Sequence, residues 1–185
     1  MASHLAAGYV DGLPFLRVLG ESAQAGEGPQ LFTYTVYVER GLAINKLEFV
    51  AEVHAILSDR RGWTRGGKYS FKRVPKYGNT QLVLARPETV DKLCAPLRTE
   101  GKVSCCQGTK VVVNWDRWTQ AVPHWLETGT LHTYRQMLVN HEFGHRIGKN
   151  HRYCPGAGLK APVMQQQTYG FQGCRRNSWP LDTEL

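Results

Sequence analysis

The chain has 185 residues, 42% of them hydrophobic, and a formal net charge of +8. That length and apolar content suit one globular domain with a real core. No apolar run approaches the roughly 18 residues a membrane span needs, and no basic stretch followed by an apolar one marks a signal peptide at the N-terminus.

The predicted elements follow in chain order. Residues 1–30 hold a short apolar stretch, 13–19, and then a Gly/Ala/Glu-rich run, 20–30, expected to be a flexible connection ahead of the domain proper, 31–185. Phe32 to Val38 alternates as a strand does. Asn45 can cap a helix running to about Asp59, with Leu47, Val50, Ala51, His54 and Leu57 on one face. His54 on such a stripe is expected to be a satisfied core histidine rather than a ligand. Residues 69–74 and 81–85 read as strands, and 111–115 is a third run rich in Val. Pro87 opens a short helix to Cys94. From about Thr130 to Ile147 a helix places Leu131, Tyr134, Leu138, His141 and His145 on one face.

That helix carries the most informative residues. Residues 141–151 read HEFGHRIGKNH and fit HExxHxxGxxH. Residues four apart share a helix face, so His141 and His145 can aim at one metal ion. Glu142 lies one residue round, where its carboxylate can take a proton from a metal-activated water. Gly148 can adopt φ > 0, so the helix can stop there and the chain can turn back to deliver His151 as third ligand. Three imidazoles leave one tetrahedral position open, as catalytic rather than structural zinc sites do. With 7 His and 19 Gly in the chain, and ten Glu, an accidental match is expected only about 5 times in 100,000.

Downstream, Ala161-Pro162-Val163-Met164 forms a predicted tight turn with its methionine 13 residues beyond His151. Together these two motifs resemble the metzincin metallopeptidases, whose Met-turn sets a thioether beneath the three imidazoles. The run 134–180, with VNHEFGHRIGKNH, CPG, APVMQQQT, GC and NSWP, looks like an uncharacterised metzincin-like family of bacterial extracytoplasmic proteins. The upstream segments FTYTVYVERGL, RGW, VLARPETVDKLCAPL, SC and VVVNWDRW share that likeness, which spans roughly residues 31–180. It implies an α+β zincin fold: a mixed twisted sheet, a backing helix and an active-site helix in an upper subdomain (31–148), over a small irregular lower subdomain (149–185). It further implies that an edge strand lines the cleft and pairs with an extended peptide substrate. Residues 81–85 and the stretch near Cys105 are the two candidates. Astacin-like and serralysin-like enzymes carry a Tyr two residues after the Met, where this chain has Gln166. No cysteine-bearing pro-segment of the matrix-metalloproteinase type is visible.

Proximity and the same likeness pair Cys94 with Cys105 and Cys154 with Cys174, leaving Cys106 over and able to compete with Cys105. Each bridge would close a short loop, worth roughly 3 kcal/mol in the chain-entropy model. Disulfides point to an oxidising, extracytoplasmic location; five reduced cysteines would point to the cytosol. Basic clusters at Arg60, Arg61, Arg65, Lys68, Lys72, Arg73 and Lys76, and at Arg175 and Arg176, are either a solvated face or an attraction for an anionic cell-envelope surface. Nothing resembles a nucleic-acid-binding motif, so nucleic acid is not an expected partner, and a monomer is expected.

The expectation for function is a zinc-dependent endopeptidase with one catalytic Zn²⁺ held by His141, His145 and His151 and with Glu142 as general base. Tyr134, Tyr153 and Tyr169 are the tyrosines placed to assist an oxyanion, or else structural. Two alternatives stand beside this: a zinc hydrolase of a non-protein amide from the cell envelope, and a zinc-bound binding protein without turnover.

Overall fold

In a computed structural model, residues 4–185 are described. A ten-residue strand, β3 (Gln30–Glu39), organises a seven-stranded sheet. It pairs in parallel with β5 (Thr80–Ala85), which pairs in parallel with β7 (Lys110–Asn114); the short β6 (Cys105–Gln107) closes that edge, antiparallel to β7. At the other end, β1 (Leu5–Val10) and β2 (Leu13–Val18) form a hairpin, with β2 antiparallel to β3; β4 (Tyr69–Arg73) runs parallel to the first half of β3.

Period-2 alternation explains the layering. Val36, Val38, Leu82, Leu84, Val111 and Val113 face the main core, shared with helices α1 (Lys46–Ser58) and α5 (Leu131–Arg146). Tyr37, Val83, Ala85 and Val112 point the opposite way, into a second core. There they meet Val90 and Leu93 of α2 (Pro87–Cys94) and Phe15 of the hairpin. A parallel sheet covered on both faces needs such continuous apolar runs. The main core also takes Trp118 of α3 (Trp115–Gln120) and Trp125 of α4 (Pro123–Leu126). The mixed α+β architecture matches the coarse expectation.

Several details differ from it. Within the segment 1–30 expected ahead of the domain, residues 5–10 and 13–18, the latter most of the apolar stretch read at 13–19, are two strands of the same sheet; residues 1–3 of that segment lie outside the described residues. The run 20–30 is not a loose tether. Ala25 exchanges both backbone hydrogen bonds with Phe71 (2.7 and 2.9 Å), and the Arg73 guanidinium donates to Leu19 O and Glu21 O (both 3.2 Å). An exposed edge of β4 offers unpaired backbone groups, and this segment satisfies them. Asn45 caps α1 as expected, accepting from the Leu47 and Glu48 amides (3.1 and 3.3 Å). The buried stripe, however, is Phe49, Val50, Val53, Ile56 and Leu57, and Leu47 is exposed. The helix is apolar on two adjacent stripes; the one bearing Phe49 wins because its ring meets Trp118 edge-on at 4.7 Å. His54 lies apart from the other histidines, with Nδ1 3.0 Å from the Tyr34 hydroxyl. The strand expected at 111–115 ends one residue sooner, because Asn114 turns to cap α3.

Part of the basic cluster serves internal contacts. Arg61 pairs with Asp59 and lies over the Trp179 ring; Arg65 pairs with Asp182. Both expected disulfides are present, Cys94–Cys105 tying α2 to β6 and Cys154–Cys174 closing the irregular segment after α5; Cys106 is free. No helix is long and apolar enough to cross a membrane among the described residues.

Phe143 joins fold and site. It sits inside the HEFGH sequence yet is fully buried, with its ring edge-on to Tyr34 (5.9 Å) and Phe71 (5.7 Å). Phe143→Ala is expected to lower stability by about 3–5 kcal/mol, read from denaturant unfolding with the disulfides intact.

Candidate metal centre

Helix α5 begins with Thr130, whose hydroxyl accepts from the Thr133 amide at 3.1 Å while Thr133 bonds back to the Thr130 amide at 3.0 Å. It passes through the core and is buried from Met137 to Gly144. Its end is a Schellman turn. Lys149 N donates to Gly144 O (2.8 Å), Gly148 N donates to His145 O (2.9 Å), and Gly148 has φ +91°. A side chain there would strain the backbone, so glycine is what lets the chain reverse after one last turn.

That reversal brings His151 back to the helix. His145 Nε2 lies 3.0 Å from His151 Nε2, and the ligand atoms of His141, His145 and His151 all fall within 4.8 Å of one another. Two of the rings are held by backbone carbonyls: His141 Nδ1–H donates to Val163 O and His145 Nδ1–H to Lys149 O, each at 2.8 Å. A carbonyl can only accept, so the proton is on Nδ1 and the Nε2 lone pair is left for a metal. Burial holds His141 down to about 3, helped by neighbouring His145. Burial also lowers His145 and His151. Each of these shifts favours the neutral ring, the form that binds metal. Two nitrogens sharing a tetrahedral zinc sit about 3.3 Å apart at ordinary Zn–N lengths, close to the His145–His151 separation. The three imidazoles are a donor set that could hold a metal ion.

Glu142 follows His141 on the helix and is only 6% exposed. Its Oε2 is buried without a hydrogen-bond partner, and burial pushes its pKa up to about 8. A carboxylate left bare in a protein interior is costly unless a cation or a reacting group stands beside it. Gly144, between His141 and His145, allows the closest packing in the site. A Cβ there would lie 2.8 Å from Trp63 Cζ2 and nearer still to the Met164 sulfur. Met164 is fully buried against this glycine.

A cavity of about 520 Å³ opens over these residues. One wall is the segment from Leu97 through β6 to Gly108; the other includes Gln166, Thr168 and Tyr169. Of the two candidate edge strands, residues 81–85 are β5, interior between β3 and β7, and so cannot line a cleft as an edge. The Cys105 stretch is β6, at the sheet edge and in the cavity wall. Among the three tyrosines, Tyr169 lines the cavity. Tyr134 is buried, with its hydroxyl 2.9 Å from Thr168 Oγ1, and Tyr153 is exposed and not part of the wall. The Cys106 thiol also faces the cavity, where burial, then the nearby Glu142 charge, push it up to about 12 and keep it protonated.

Sequence reading missed Glu184. Its carboxylate is 1% exposed and accepts from the amides of Val163 and Met164 (2.9 Å each) and Leu181 (2.8 Å). Two of these three partners, Val163 and Met164, lie about twenty residues upstream, beyond the reach of a local pattern.

Fold and site together define a mixed α+β protein with a three-histidine candidate metal centre beside a buried glutamate. The chain matches, over residues 11–183, the family model described as "Protein of unknown function (DUF3152)", and it belongs to that family. No curated protein and no solved structure matches it.

Proposed function

We propose that this protein is a zinc-dependent endopeptidase of metzincin-like design, acting outside the cytoplasm. One observation carries the reading. The three histidines converge in the same cavity as a buried glutamate with an unpartnered oxygen. His141, His145 and His151 would hold the ion. When bound, zinc supplies an acidified water and polarises a carbonyl. Glu142 takes the proton at its carboxylate and passes it to the leaving amine. Its burial keeps bulk water from competing for that proton. Met164 and Gly144 keep the floor of the site close and apolar, and β6 offers an edge along which an extended peptide can add as a strand. The two disulfides support a location in an oxidising compartment.

The test is cleavage of a mixed peptide library at neutral pH by the zinc-loaded protein. Cuts at internal peptide bonds support an endopeptidase. No cuts with zinc bound would turn the reading towards a non-protein amide or a binding role.

Charge adds a prediction about side-chain preference. Glu142 is the cavity's one acidic residue, whereas Arg98 stands exposed on the rim. Residues 143–181 contain Arg146, Lys149, Arg152, Lys160, Arg175 and Arg176 and no Asp or Glu. Peptides with Asp or Glu flanking the cut should be preferred over Lys-bearing ones by about 3- to 10-fold in kcat/KM at low salt, less at high salt. Arg98→Glu should shrink or reverse that ratio; an unchanged ratio would remove Arg98 from the argument.

A further inference from the structure

We infer that Glu184 is a positioning residue for the metal centre: its carboxylate clamps the turn that orients His141 and anchors the chain beside His151. This rests on the metal-binding reading above. The carboxylate reaches no ligand directly. It accepts the amides of Val163 and Met164, consecutive residues of the turn, through different oxygens, Oε2 at 2.9 Å and Oε1 at 2.9 Å. The carbonyls of those two residues then face the site. Val163 O receives the His141 Nδ1–H at 2.8 Å, and Met164 O receives the Arg152 amide, next to His151, at 3.0 Å. His145 is reached by a second route. Its Nδ1–H is bound by Lys149 O, and the Lys149 ammonium binds the carbonyls of Glu184 and Leu185. Segment 181–185 is thus coupled to His141 and His145 through the carbonyls that hold their rings, and to the chain next to His151 through the Arg152 amide.

The clamp needs a carboxylate. Oε2 accepts from both Val163 N–H and Leu181 N–H, and Oε1 from Met164 N–H. An amide of the same shape must turn its NH₂ towards at least one of these donors, whichever way it flips. Glu184→Gln therefore cannot rebuild the set, although it fills the same volume. A side chain that merely filled space would be satisfied by Gln.

The experiment compares wild type with Glu184→Gln. Zinc affinity is measured by competition with a chromophoric chelator, and ring N–H exchange by NMR on the metal-free proteins. In folded Glu184→Gln, zinc Kd should rise about 10- to 100-fold, the range for lost outer-shell partners, and the His141 Nδ1–H should exchange faster. A lower unfolding midpoint with zinc Kd unchanged within about threefold would overturn the proposal, since that is what a purely structural role predicts. If Glu184→Gln does not fold, Glu184→Asp keeps the charge on a shorter arm and takes its place. It should raise zinc Kd by at least about threefold and speed exchange of the His141 Nδ1–H; no change in either would overturn the proposal. If wild type binds no zinc at all, the metal reading falls separately, and a His141 Nδ1–H as protected in Glu184→Gln as in wild type would still overturn the role of Glu184.

Discussion

Glu142→Ala is expected to retain its zinc and lose peptide cleavage by about 10²- to 10⁴-fold, the usual contribution of a positioned general base. The argument rests on where the carboxylate is. Glu142 is on the ligand helix but does not belong to the three-nitrogen cluster, so its removal leaves the donor set whole. Its Oε2 has no partner in the fold, so truncation orphans no protein donor and should not unfold the helix. Removing a buried carboxylate that burial holds at about 8 should, if anything, relieve the metal-free protein. The check is turnover on a cleaved library peptide beside zinc content by elemental analysis. Loss of zinc along with activity would show that Glu142 serves as a ligand and would sink the base assignment. Full activity would place the proton acceptor elsewhere.

His145→Ala is expected to weaken zinc binding by at least two orders of magnitude. Small zinc sites bind with about 10–16 kcal/mol over four ligands, so one imidazole is worth about 3 kcal/mol, roughly a hundredfold in affinity. His145 is chosen because it stands at the junction of the site: its Nε2 faces His151, and its Nδ1 holds the Lys149 carbonyl that shapes the helix exit. Its loss removes a donor and loosens the turn that presents the third ligand. His54→Ala is the control, since that ring binds Tyr34 and lies outside the cluster. Equal zinc affinity in the two variants would mean that the three histidines do not form the metal centre.

The site was legible in the sequence to the extent that its chemistry is local. His141, Glu142 and His145 are related by helix periodicity alone, and Gly148 and His151 by one turn whose hydrogen bonds span five residues. Strand alternation marked β3 and strand-forming composition marked β5 and β7, while Asn45 and Pro87 marked helix starts, because each of those signals is local to its own segment. Both cysteine pairs join nearby segments. For α1 the local signal was ambiguous. Two apolar stripes fit the same period, and the choice of Phe49 over Leu47 was made by Trp118, a residue far along the chain.

What required the folded chain were relations between distant segments. The hairpin of β1 and β2 showed in the sequence only as a short apolar stretch, and its place in the sheet comes from pairing with β3. β5 looked as able as β6 to be an edge, because strand order depends on crossovers that residue alternation does not encode. Glu184 has the least local signal of all. A lone glutamate near a turn is unremarkable until folding brings two consecutive amides onto its oxygens and shuts water out. Short-range periodicity therefore named the candidate donors, and long-range packing supplied the groups that hold their rings.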